Sequence, residues 1–311
     1  EAMLAVHQRH FNSVTAEDAM KMHYIAKEPG VFDFASADAM LAFTRERGQR
    51  LFGHTLIWHS ATPEWVERLA ERDPAALDAF MRDYIYSYVG RYQGKVAGWD
   101  VVNEAMNTAG GGYRETVWYK TLGREYIAKA FSYAHEADPA AVLFYNDFNL
   151  ERDAEKLDSA LEMIADLKEQ GVPISGLGFQ MHIRMDVPDE VIAQALRKGA
   201  ATGLQIHLSE VDIIFNTHGD TRGGGVQLYD ELTDDMRRQQ AEKYRKLAMM
   251  YRTIVPEQQQ FGITFWGFDD GGSWIRGFFE LNDWPCLFDG NLEPKPAYFG
   301  FRDGLTAKLE D

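Results

Sequence analysis

One cysteine in 311 residues, Cys286, leaves no partner for an internal disulfide and no multi-cysteine zinc site. Proline is sparse, with 10 residues, and no low-complexity tract, linker or solenoid-length repeat breaks the chain. No apolar run is long enough to span a membrane, and the opening EAMLAVHQRH lacks the apolar stretch of a secretion signal. A mature domain freed of its signal would read the same way, so the compartment stays open. Basic residues are outnumbered, 32 Lys and Arg against 48 Asp and Glu, for a formal net charge of −16. Such a field repels nucleic acid and acidic membranes, whereas a neutral or lightly acidic polymer is compatible with it. Solubility alone is sufficient reason for the charge.

What is present is a pattern. With 45% hydrophobic residues the chain can bury a sizeable core, and its length suits a single α/β barrel domain over residues 1–311. Apolar runs of strand length are expected over 11–15, 51–58, 96–102, 142–145, 176–180, 205–211 and 262–266. Amphipathic stretches between them predict helices over 37–46, 74–92, 119–137, 155–170, 189–200 and 234–251. Asp73-Pro74 is a helix start signal, and Gly171 and Gly203 stand where helices should stop. Strand then helix, repeated, means parallel strands with crossovers, and a closed (β/α)8 TIM barrel needs about eight strands. About seven are found, behind a helix-like opening segment, so the first strand is expected to be missing from the N-terminus of this sequence. A doubly wound open sheet competes, weakened by the lack of a glycine-rich phosphate loop after an early strand.

The polar residues collect where the strands should end: Trp58-His59, Asn103-Glu104, Asn146-Asp147, Gln180 with His182, Glu210 with Asp212, and Trp266 with Asp269. In a barrel that edge carries the chemistry. One strand-end glutamate reads as an ion pair. Two, Glu104 and Glu210, among Trp, His, Asn and Gln, point to glycoside hydrolysis, which needs one carboxyl to protonate the leaving oxygen and one to attack the anomeric carbon. Trp58, Trp266 and Trp274 suit the C–H faces of sugar rings, whereas Trp65, Trp99 and Trp118 read as core. His54, His59, His182 and His207 carry no HExxH pattern, so no metal and no cofactor is expected, and His207 reads as a structural histidine.

The segments FNSVTAEDAMK, GHTLIWHS, WDVVNEAM, YNDFN, GLGFQMHI, LSEVDI, FWGFDDGGSW and LFDGNLEPKPAY occur in order between about residue 10 and about residue 305. Together they resemble glycoside hydrolase family 10, the barrel endo-β-1,4-xylanases. The resemblance implies Glu104 as acid/base, with Asn103 beside it holding a sugar 2-hydroxyl. It implies Glu210 as nucleophile, oriented and kept ionised by His182 and Asp212. Glu17, Lys21, His54, Trp58, Gln180, Trp266 and Trp274 match positions lining the non-reducing-side sugar subsites, and Tyr145 an aromatic under the first leaving-group sugar. The implied partners are xylan and xylo-oligosaccharides, with secretion and a monomer expected. Asp18, Ala61, Ser209 and Ile275 depart from the family pattern and bear on affinity, not on the chemistry. A silent xylan-binding protein, a barrel glycosidase acting on β-glucan and a metal-dependent barrel hydrolase remain the alternatives.

Overall fold

The structure is a computed structural model that describes residues 2–308. Its residues form two compact units, one from residues 7–147 and 155–178 and the other from the remaining described residues.

In the first unit, β1 (Ser13–Thr15) pairs in parallel with β2 (Arg50–Phe52). β3 (Ile57–Trp58), β4 (Trp99–Asn103), β5 (Leu143–Asp147) and β6 (Gly176–Phe179) follow one another side by side, with β3, β4 and β5 parallel. The expected strand over 51–58 is therefore two short strands. Between them Gly53 bridges to Trp99 so closely that a Cβ there would sit 2.1 Å from the indole Cε3. Only glycine lets the backbone make that approach.

The helix Pro74–Arg91 begins as the sequence indicates: the Asp73 carboxylate accepts from the amides of Ala75 and Ala76, and Pro74 opens the first turn. It buries Leu77, Met81, Tyr84, Ile85, Tyr88 and Val89, and the Tyr88 ring meets Trp99 edge-on at 4.9 Å. The single helix expected over 119–137 is two, Val117–Leu122 and Glu125–Ala137, because Gly123 takes φ 66°. The helix Glu64–Arg72 lies outside the helix ranges the sequence predicts.

In the second unit, β7 is His182–Arg184, β8 runs for 10 residues over Gln205–Ile214, the hairpin strands β9 and β10 are Thr217–His218 and Gly225–Val226, and β11 is Gln260–Phe265. β8 pairs in parallel with β11 along its first part and with β7 along its last, His182 facing Asp212. That second pairing carries β8 three residues past its expected end, so Glu210 and Asp212 lie within the strand. Helices Asp189–Ala200 and Asp234–Ile254 stand as expected, and the unforeseen helix Pro296–Thr306 packs on the latter. Gly300 and Gly304 permit this: a Cβ at either would fall 2.1 or 2.3 Å from the carbonyl oxygens of Ala241 and Arg245. Across both units helices alternate with parallel strands, the βα pattern the sequence predicts.

Candidate active site

In the first unit the residue after β4 is Glu104, held at φ 58°, a conformation non-glycine residues adopt only where surroundings impose it. The surroundings are specific. The Glu104 amide donates to the Asn146 carbonyl at 2.9 Å, and its carbonyl accepts from Arg114 Nε at 3.2 Å. Its carboxylate accepts from Asn103 Nδ2 at 3.3 Å, and the Asn103 oxygen accepts from Asn146 Nδ2 at 3.0 Å. β4 and β5 thus aim a partly exposed carboxyl by backbone and by an asparagine relay. Beneath lies the fully buried Asp147–Lys156 ion pair at 2.8 Å. Burial raises the Asp147 pKa, Lys156 opposes that, and the charge of Glu104 adds to it. His59 is held neutral, down to about 4, by burial first and then by the Arg114 and Lys156 cations.

Around this centre, His54 is buried and shares 2.8 Å with Asp100 through Nδ1. Lys21 is almost buried, ion-paired with Asp18 at 3.2 Å, and lies 4.9 Å over the half-exposed ring of Trp58. Glu17 is exposed. Tyr145 is corrected: it is fully buried and its hydroxyl donates to Asp147, so it has no face to offer a sugar. β alternation turns it inward, whereas Phe148, just past β5, is partly exposed. Trp65 is corrected too, since unlike the buried Trp99 and Trp118 it is only half-buried.

In the second unit Glu210 sits in mid-strand, its amide donating to the Gln180 carbonyl at 2.9 Å. His182 Nε2 lies 3.4 Å from its carboxylate, and His182 Nδ1 lies 2.9 Å from Asp212, which also accepts from Trp274 Nε1 at 2.8 Å. The His182 and Trp274 rings meet at 4.8 Å. Trp266 follows β11, its amide donating to Val211 at 3.2 Å. The chain Glu210–His182–Asp212 that the resemblance implies is thus assembled, and Trp274, expected only as a sugar-binding residue, joins it through Asp212. His207 shares 2.9 Å with Thr264 and packs on Phe261, as a structural histidine should.

Burial alone would lower the His182 pKa, but Asp212 and then Glu210 outweigh it and raise it to about 10. An imidazolium beside Glu210 favours the carboxylate form. Because the folded pKa lies above the ordinary 6.5, this group adds stability that is complete below pH 6.5 and lost as pH rises through about 10. The His182→Asn variant should accordingly be less stable than the parent in urea at pH 6, with the gap closing towards pH 10. A gap that stays constant across that range would show His182 to be neutral in the fold.

Two carboxylates on a βα fold, Glu104 just past β4 and aimed by asparagines, Glu210 within β8 and beside an imidazolium, have the chemistry that retaining glycoside hydrolysis asks for. The chain belongs to glycosyl hydrolase family 10, whose family model matches residues 1–304. Among its relatives, endo-1,4-beta-xylanase B of Thermotoga neapolitana is 37% identical over all of this chain and 85% of its own. A thermostable mutant of the xylanase Xyn10A of Cellvibrio japonicus superposes with a TM-score of 0.90 at 34% identity, over 99% of this chain and 92% of its own. Xylanase 10B of Thermotoga petrophila, solved with xylobiose, gives 0.87 at 36% identity, over 99% and 89%. The fold is therefore the (β/α)8 barrel, not the doubly wound sheet.

Proposed function

We propose that this chain is an endo-1,4-β-xylanase in which Glu104 is the acid/base and Glu210 the nucleophile. The observation that carries the reading is the Glu210–His182–Asp212 chain, found in a member of this family whose relatives are named xylanases. Glu104, protonated, donates to the glycosidic oxygen while Glu210 attacks the anomeric carbon and the leaving chain departs. Glu104, now ionised, takes a proton from water, which releases the sugar from Glu210 with net retention. Retention asks for a carboxyl separation of roughly 5–5.5 Å.

Asn103 holds the sugar 2-hydroxyl. Glu17, Lys21, His54, Trp58, Gln180, Trp266 and Trp274 line the non-reducing-side subsites. Phe148 takes the place given to Tyr145 under the first leaving-group sugar, its half-exposed ring being the aromatic face available there. Asp18 holds Lys21 by charge, a contact an amide could not make with that strength. The whole of residues 1–311 acts as one catalytic domain and as a monomer. It works outside the cell, because a polymeric substrate does not cross a membrane; no helix among the described residues is long and apolar enough to do so either.

Soluble xylan digested for minutes, with products separated by length, tests the reading. A spread of xylo-oligosaccharides is the expected result. Xylose or xylobiose alone would mean attack from chain ends, and binding without products would mean a silent binding protein.

A further inference from the structure

We propose that the face formed by the helices Glu64–Arg72 and Pro74–Arg91 carries a second polysaccharide site, which takes a β-1,4-xylan chain bearing uronic-acid side groups. The proposal rests on the reading of the protein as a xylanase. Its basis is a cleft of about 900 Å³ in the first unit, lined by residues of both helices and by Pro29 and Gly30.

The sequence builds this cleft from two helical stripes. On the first helix Trp65, Arg68, Leu69 and Arg72 follow the i, i+3, i+4, i+7 spacing of one face, while Val66 and Ala70 take the buried face. On the second, Arg82 and Tyr86 are one turn apart and Phe80 lies beside them. A surface helix places polar side chains on its outer face; here that face carries a half-buried tryptophan and leucine.

The aromatics are held in place. Trp65 Nε1 donates to the Ala26 carbonyl at 2.9 Å, and its ring meets Phe80 edge-on at 4.9 Å. Such fixed, partly exposed rings suit the C–H faces of sugars. The charge is out of keeping with the rest of the chain. Three arginines line the cleft against one carboxylate, Asp83, in a protein of net charge −16. Arg68 shares Glu64, but among the described residues no carboxylate lies within ion-pair distance of Arg72 or Arg82, and the Arg82 guanidinium lies 5.3 Å over Tyr86. Guanidinium groups beside aromatic faces match a sugar chain that carries carboxylates, each group able to take one in a bidentate pair.

The test uses the Glu210→Gln protein, with neutral xylohexaose present in excess to fill the active cleft. Retardation is measured by affinity electrophoresis in uronic-acid-bearing xylan, and in the same polymer with its carboxyls reduced. Adding Arg68→Ala, Arg72→Ala and Arg82→Ala is expected to weaken binding to the acidic polymer about tenfold, each exposed charge contributing modestly. The parent should show the same loss on the reduced polymer. In the otherwise active chain the three substitutions should leave hydrolysis of a short neutral xylo-oligosaccharide unchanged. Unaltered retardation of the triple variant, or retardation indifferent to carboxyl reduction, overturns the proposal. Equal binding of polygalacturonate does too, since it reduces the cleft to a patch for any anion. Failure of the active chain to cut the short oligosaccharide would count against the xylanase reading instead.

Discussion

The Glu210→Ala chain is expected to cut soluble xylan about 10⁴-fold more slowly than the parent or worse, with the fold intact. Among the described residues, the side chain replaced is the only carboxylate in contact with the His182 imidazolium besides Asp212. Asp212 cannot substitute for it, because it is buried and already accepts from both His182 and Trp274. By the proposed mechanism, removing Glu210 removes the covalent intermediate and leaves a space beside a cation. A small anion such as azide can occupy that space and attack the same carbon. Added azide should therefore restore bond cleavage in Glu210→Ala and yield a glycosyl azide of inverted configuration. Full activity in the variant would remove Glu210 from the mechanism. The same azide experiment on Glu104→Ala should yield the retained product, since there the anion replaces water in the second step.

The largest effect on stability is expected at Lys156. Its ammonium is fully buried at 2.8 Å from Asp147, whose other oxygen accepts from the Met106 amide at 3.3 Å and from the Tyr145 hydroxyl. Substitution by methionine keeps the volume and leaves the Asp147 carboxylate buried without its cation, which costs about 3–5 kcal/mol in comparable pairs. Urea unfolding followed by tryptophan fluorescence should show a midpoint lowered accordingly. The double variant Lys156→Met, Asp147→Leu should recover a large part of the loss, because no stranded charge remains. A loss below about 1 kcal/mol in the single variant would place the pair in the class of surface ion pairs.

The sequence made the strand positions legible wherever short runs are mostly apolar, as at β4, β5 and β6, and the helix Pro74–Arg91 announced itself through Asp73-Pro74. It could not show that β8 continues to Ile214, because that depends on pairing with β7, a segment too short to carry a pattern of its own. The helix Glu64–Arg72 lies outside the predicted ranges although Trp65, Val66, Leu69 and Ala70 fall on one side of it, because nine residues make little more than two turns, too few for a periodic pattern to repeat. Glu104, Glu210, His182 and Asp212 were legible as polar types clustered on or beside the predicted strands, although Glu210 and Asp212 lie within β8 rather than at its end. Tyr145 was misread as sugar-facing because a motif gives residue order and not the face of the strand; Phe148, out of the β5 alternation, was there to be found. Lys156 gave no signal at all: a lysine on an amphipathic helix reads as solvated until its buried partner is seen.

Cys286 is buried, its amide donating to the Asp270 carboxylate at 2.9 Å, and burial pushes its thiol well up. A chain with one protonated, inaccessible thiol has no internal bond to oxidise, shuffle or reduce. Its return from denaturant to the active fold then needs neither an oxidant nor an isomerase, and the same protein can be made in a reducing cytosol and used in an oxidising medium without any change in covalent structure.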